Sequence, residues 1–223
     1  ILSLNCQSLN AKIDQIQILI TELLQHDIYI DAICLQETWF KDPQIPPSAQ
    51  IPNYQAINRP KHCSEHGGLL IYLKNTYQYE KITSAVYNSD HWENQFIKIK
   101  LQSESLILGN IYRPPHKRVT QLDDFITEFS ATLHECSKSK NVILTGDFNI
   151  NLLNINSANS THTNEFLNNV ISNGFLPNIT LPTRISDTTA SLIDNFFCKL
   201  HQKNTSSGIL THKLSDHQPY FVT

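Results

Sequence analysis

Methionine is absent from all 223 residues, and the chain opens on Ile1. A complete translation product begins with Met, so the expectation is a domain cut from something longer. Cysteine is sparse: Cys6, Cys34, Cys63, Cys136 and Cys198 are scattered, odd in number and without CxxC spacing. This excludes the zinc-ribbon and dithiol motifs and fits a reducing, intracellular compartment. No apolar run approaches the roughly 18 residues of a membrane span, and no charged and apolar leader marks a signal peptide. A soluble chain with no membrane partner is expected. Glycine is scarce, with six residues, and no low-complexity tract occurs, which excludes fibrous and disordered classes. Positive charge is also lacking. The formal net charge is −3, a mild argument against nucleic acid, because phosphate binding is dominated by Lys and Arg.

What is present is an ordinary globular composition, 40% hydrophobic and 17% charged. At this length one large domain with a sizeable core is expected. Three Asn-x-Ser/Thr triplets, at Asn159, Asn178 and Asn204, arise easily by chance in so Asn-rich a chain. Basic residues gather locally, at Arg59, Lys61 and His62 and again at Arg113, His116, Lys117 and Arg118. Local distribution matters more than the sum, since metal-dependent nucleases concentrate acids in the site itself.

The opening "ILSLN" reads as a short strand ending at Asn5. Ile13, Ile16, Leu19, Ile20, Leu23 and Leu24 then recur at three- and four-residue spacing, predicting a helix from about Ala11 to Gln25. "IDAICLQET" is an apolar run ending in Glu37, a buried strand. From Tyr54 to Tyr112 the segments "YQAI", "GLLIYL", "YEKITSAVY", "QFIKIKL" and "SLILGNIY" predict an antiparallel meander. A second helix is predicted over Gln121 to Ser137, a strand at "NVILTGDFN", and a third helix over Asn164 to Ser172, stopped by Asn173 and Gly174. "SLIDNFF", "GIL" and "PYFVT" are short closing strands. The pattern predicts an α/β fold, a four-layer sandwich in which two mostly antiparallel sheets pack face to face with helices outside.

Polar residues stand where apolar runs end: Asn5, Glu37, Tyr112, Asp147 with Asn149, Asp194, and Ser215-Asp216-His217. Any one of them has a bland reading. Asn5 alone caps a strand, Tyr112 alone is a half-buried aromatic, Ser215-Asp216 alone is a turn, and the Gly146-Asp147-Asn149 spacing alone is a turn after a strand. Six such strand ends together read as one site. Phosphodiester hydrolysis suits the set, because carboxylates are hard ligands for Mg2+, a His held by an acid moves or stabilises a proton, and amide and phenol groups donate to phosphate.

"LNCQSL", "LQETWF", "IYRPP", "LTGDFNI", "SLIDNFF" and "LSDHQP" occur in the order seen in the endonuclease/exonuclease/phosphatase (DNase-I-like) superfamily. Over nearly its whole length the chain most resembles the apurinic-type endonuclease domain of non-LTR, LINE-like retrotransposons. The resemblance implies roles position by position. Glu37 would ligate the magnesium, with Asp216 beside it and Asn5 supporting the same metal site. Asp147 would orient or activate the attacking water, Asn149 and Tyr112 would hold the phosphate, and Asp194 would hydrogen-bond the catalytic His217. Ser215 would be a phosphate or supporting contact, and Arg113 would lie in the basic segment against DNA. The segment "TRISDTTAS" matches a DNA-touching hairpin, where Arg184 is the only cation.

Two positions depart from the repair-type enzymes of this superfamily. Pro115 stands where those enzymes carry an Asn three residues after the site tyrosine, and Gln7 where they carry a second acid. Both favour the transposon branch. The resemblance further implies Mg2+ as cofactor with Mn2+ as a substitute, double-stranded DNA as substrate, a reverse transcriptase domain in the same polypeptide, and a nuclear location. The alternatives are a phosphodiesterase or phosphatase acting on RNA, lipid or inositol phosphate, and a non-catalytic interaction domain.

Overall fold

The computed structural model describes residues 1–62, 66–83, 89, 91–115, 119–155, 157, 160–201 and 204–223, with the backbone alone at 119–120. Cys63, Asn159 and the basic stretch His116–Arg118 lie outside the described residues. In chain order the elements begin β1 (Leu2–Asn5), α1 (Leu9–Gln25), β2 (Ala32–Gln36), β3 (Tyr54–Arg59) and β4 (Leu69–Lys74). They continue with β5 (Gln78–Lys81), β6 (Glu93–Lys100), β7 (Ser105–Tyr112), α2 (Val119–Ser137) and β8 (Val142–Asp147). The last part holds α3 (Thr161–Ser172), β9 (Leu176–Pro177), β10 (Arg184–Ile185), β11 (Ala190–Ser191), β12 (Asp194–Lys199), β13 (Ser207–Ile209) and β14 (Tyr220–Val222).

Two six-stranded sheets form, in the orders β13-β14-β1-β2-β4-β3 and β5-β6-β7-β8-β12-β9, with β10-β11 a separate hairpin. In each sheet one pairing is parallel, β1 with β2 and β7 with β8, and the rest are antiparallel. The predicted sandwich is therefore observed. The single antiparallel meander is not: β3 and β4 belong to the first sheet and β5 to β7 to the second. Alternation along a strand shows that it has a buried face, not which sheet that face will meet. The strand expected over "YEKITSAVY" ends at Lys81, and its residues 84–87 lie outside the described set.

The continuous apolar run of β2 has a simple cause, because the strand is buried on both faces. Ala32 and Cys34 pack in the core between the sheets, while Ile33 and Leu35 face α1 with Leu9, Ile13, Ile16 and Leu19. On the far side, α2 and α3 set Phe125, Phe129 and Phe166 against Phe148 and Phe197, with ring centroids 4.8–6.1 Å apart. Each fully buried ring of this kind contributes roughly 1.5–3 kcal/mol. The α3 helix stops as its sequence predicts. Gly174 adopts φ +82, and its N–H donates to Ile171 O at 2.9 Å.

Between the sheets lies a layer that is not apolar. Gln36 Nε2 donates to Asn110 Oδ1 at 2.6 Å, Asn110 Nδ2 to Leu35 O at 3.0 Å, and the Tyr220 hydroxyl lies 3.0 Å from both Ser3 and Thr145. Buried polar groups that bond one another fix the register of the two sheets, because a slip would leave each of them unsatisfied.

Candidate active site

Parallel pairing decides where the polar residues meet. Because β1 runs with β2, and β7 with β8, Asn5, Glu37, Tyr112 and Asp147 all leave their strands at one edge of the sandwich. The antiparallel β12 enters from that edge, placing Asp194 opposite Asp147 in register, while Tyr112 faces Asp147 from the other side. His217 arrives on the segment before β14.

At the centre, His217 Nδ1 lies 3.0 and 2.9 Å from the two Asp194 oxygens. Its Nε2 is 4.0 Å from Asp147 Oδ2 and 3.9 Å from Asp216 Oδ1. Asn5 Nδ2 bridges two acids, donating to Glu37 Oε1 at 2.8 Å and Asp147 Oδ2 at 2.9 Å. The other Asp147 oxygen accepts from Asn149 N–H at 2.9 Å. Asn149 sits at φ 50, a left-handed position that Asn tolerates. Phe148 between them is buried in the aromatic cluster. Gly146 serves a different purpose from ending the strand. It lies within β8, where a Cβ would stand 1.8 Å from Ile111 O, so its role is close backbone approach.

Burial makes the charges consequential. Asp147 is 1% exposed, and burial, followed by the nearby Asp194 carboxylate, pushes it up to about 7 against the pull of His217 and Asn5. For His217 burial opposes the charged form, yet Asp194, Asp147 and Asp216 raise it to about 9. Burial and then the Glu37 and Asp147 carboxylates hold Tyr112 well above its ordinary value, so it stays a phenol able to donate. Burial opposes the Asp216 charge as well, but Arg184 and His217 outweigh it and hold that group low.

A model of the Endonuclease/Exonuclease/phosphatase family matches residues 2–217. The chain belongs to this family. No curated protein matches in sequence. Solved structures share the fold at low identity. The AP endonuclease LMAP from Leishmania major is 13% identical with a TM-score of 0.74, over 98% of this chain and 85% of that one. The 3'-5' exonuclease NExo from Neisseria meningitidis is 15% identical at 0.73, over 100% and 98%. The endonuclease domain of TRAS1, a telomere-specific non-LTR retrotransposon, is 12% identical at 0.70, over 99% and 95%.

Several residues of this family member stand differently from the sequence reading. Arg113 does not face DNA. It is 4% exposed, donating from Nε to Phe148 O at 2.5 Å, from Nη2 to Asn149 O at 2.6 Å and from Nη1 to Pro114 O at 3.5 Å. Its own carbonyl accepts from Asn149 Nδ2 at 2.7 Å, and its N–H donates to Asp147 O at 2.9 Å. Arg113 is thus a clamp beneath the 147–149 turn. Ser215 does not point at a phosphate either, since its hydroxyl donates to Asn5 O at 2.8 Å and accepts from His217 N–H at 3.1 Å. Asn5 turns nitrogen, not oxygen, to the acids, because an amide oxygen between two carboxylates would be repelled. It supports potential metal ligands and is not one itself. Arg184 lies in the predicted hairpin with its Nε 2.7 Å from Asp216 Oδ2.

Thr183, which carries no role in the sequence reading, is fully buried, and its hydroxyl donates to Asp194 Oδ2 at 2.6 Å. A lone Thr before a hairpin has no signal that singles it out.

For a divalent metal, which this family employs, the donor set is suitable. Asp147, Asp194 and His217 place ligand-type atoms within 4.8 Å of one another, but both Asp194 oxygens are committed to His217 and one also to Thr183. The oxygens not committed to His217 are elsewhere. Glu37 is half-buried, with Oε1 accepting from Asn5 Nδ2 at 2.8 Å and Oε2 from Trp39 Nε1 at 3.3 Å. Among the described residues Asp216 Oδ1 is buried and has no hydrogen-bond partner. A buried carboxylate oxygen without a hydrogen-bond partner fits a hard cation.

Proposed function

We propose that the chain is a magnesium-dependent DNA endonuclease that nicks one strand. The observation that carries this reading is the buried Asp194–His217 pair facing Asp147, with Asn5 tying Asp147 to Glu37 across the sheets. Glu37 and Asp216 would hold the metal, which would supply charge stabilisation to the phosphoryl and leaving oxygens. Asp147 takes the proton of the attacking water, which its raised affinity for protons suits. The new P–O bond forms as the bond to the 3′ oxygen breaks, and the departing oxygen takes a proton from solvent, leaving a 3′ hydroxyl and a 5′ phosphate. His217, flanked by three carboxylates, is cationic at neutral pH and donates to a phosphate oxygen rather than acting as base. Tyr112 and the second Nδ2 hydrogen of Asn149 complete the donors.

The parent element in this reading is a non-LTR retrotransposon. The 3′ hydroxyl primes a reverse transcriptase carried on the same polypeptide, and the protein acts on chromosomal DNA in the nucleus. Support comes from the ordered motifs, the "YRPP" segment and the likeness in fold to the TRAS1 domain. Supercoiled plasmid tests it. Nicking should require Mg2+ or Mn2+ and fall at least about 100-fold in Asp147→Ala and His217→Ala. Extension of the nick by a polymerase without end repair checks for the 3′ hydroxyl. Nicking that survives either substitution, or that needs no metal, would overturn the mechanism.

A second reading, phosphatase action on a nucleic-acid end, has one specific support. A structure of similar fold, 14% identical with a TM-score of 0.72, is that of a variant of the 3' phosphatase NExo from Neisseria bound to a product DNA hairpin. Release of phosphate from a 3′-phosphorylated oligonucleotide, with intact plasmid, would favour it.

A further inference from the structure

At the rim of the site stands an aromatic side chain that neither the core nor the hydrolysis explains. Trp39 lies two residues after Glu37 and is 37% exposed, whereas Trp92 is fully buried. An indole more than a third exposed forgoes part of its burial gain, and here the backbone keeps that edge out. Trp39 has φ 62, in the left-handed region that large side chains rarely occupy. Neighbours impose it: Thr38 N–H donates to Gly68 O at 3.1 Å and Trp39 N–H to Gly67 O at 2.8 Å. The clasp is tight, since a Cβ on Gly68 would meet Thr38 Oγ1 at 2.6 Å. The indole leans toward the acids, with Nε1 on Glu37 Oε2 at 3.3 Å, and its ring centroid lies 5.0 Å from that of exposed His66.

We propose that Trp39, flanked by His66, is a stacking ledge for a nucleobase next to the phosphate held at the site, so that the enzyme selects DNA whose base there is unstacked or unpaired. This rests on the nuclease reading. The ledge is joined through Glu37 to the groups that would hold the phosphate, and in a nucleic acid the nearest flat, apolar surface to a phosphate is a flanking base. Every base has a π face, so such a ledge reads flexibility and not identity. A paired base in a duplex is already stacked on both sides and must leave the stack to reach it.

Binding of a short single-stranded oligonucleotide, with metal chelated, is the direct test. Trp39→Leu should raise Kd about 5- to 150-fold, and Trp39→Phe, which keeps a ring but loses the N–H, should stay close to the parent. Trp39 emission should be quenched on binding, while buried Trp92 gives a constant background. In the nicking assay the parent should prefer an unpaired bubble over a fully paired duplex, and Trp39→Leu should lose that preference. Melting temperatures near the parent's check that both variants fold. Parent-like Kd and bubble preference in Trp39→Leu would overturn the ledge while leaving the nuclease reading intact. Phe as weak as Leu would overturn it in favour of indole N–H support of Glu37. Binding through Trp39 without any nicking would leave the ledge standing and remove the nuclease reading.

Discussion

Beneath the site and at its rim, two arginines expected from the sequence to meet DNA do opposite things. Arg113 is buried, and three backbone carbonyls of Pro114, Phe148 and Asn149 absorb its donors. Arg184 is 44% exposed in its side chain and spends one nitrogen on Asp216. In the floor, a cation is used to hold a backbone turn in shape. At the rim, a cation is used to set the charge of one acid while the rest of it remains in solvent. The contrast shows that a Lys/Arg cluster in sequence does not by itself mark a phosphate contact, since an Arg fork fits carbonyls as well as it fits phosphate.

The comparison breaks most visibly at Arg113. Arg113→Met should strand two buried carbonyls and cost about 3 kcal/mol, roughly a 6–12 °C fall in melting temperature by calorimetry. Arg113→Lys should recover part of it. A parent-like melt combined with lost DNA affinity would return Arg113 to the DNA surface.

Asp147→Asn should move stability the other way while abolishing nicking. The folded protein holds a proton on Asp147 up to about pH 7, where an unfolded chain would have released it. That stabilisation is present at low pH and is lost as pH rises through 7. Asparagine cannot ionise beside Asp194, so the variant should melt higher than the parent at about pH 8, roughly 2–4 °C for each kcal/mol relieved, with the gap shrinking as pH falls and closing only below about pH 4. A lower melt at alkaline pH would refute the repulsion. His217 adds in the same sense: its raised value gives stability that is full below its ordinary value and lost as pH rises through about 9.

The rate of nicking should rise through about pH 7 as Asp147 loses its proton and fall through about pH 9 as His217 loses its own. A flat profile over that window would remove both from proton transfer and charge stabilisation.

The smallest effect on stability belongs to Arg184→Ala, within about 1 kcal/mol, because the ion pair is part-exposed. Its readout is instead the choice of cleavage site and the nicking rate, through a contact of Arg184 with DNA backbone or minor groove and through the released Asp216. No change in either would leave the hairpin arginine without a function.

Much of this was legible from residue type and periodicity. The three helices were readable because apolar residues at three- and four-residue spacing can bury only one way. The first two begin two residues ahead of the reading and the third three, at Leu9, Val119 and Thr161, since one apolar residue ahead of the repeat does not set a period. Asp194 and His217 were found through their motifs, and the structure brings them to 2.9 Å. Thr183 and Arg113 were not legible as what they are. Each acts through a hydrogen bond to a group distant in sequence, which no local pattern records.

Residue type and order thus settled the layers, the helices and the short list of polar strand ends. Tertiary structure decided which sheet each strand joined, because alternation marks a buried face without naming its partner. It also decided how the polar residues divide the work. Parallel β1-β2 and β7-β8 bring their ends to one edge, and only at that edge do burial and mutual repulsion separate Asp147, raised toward neutrality, from Asp216, held ionised by an arginine from another hairpin. Charge in a buried site depends on distance and dielectric, and neither is written in the chain until it folds.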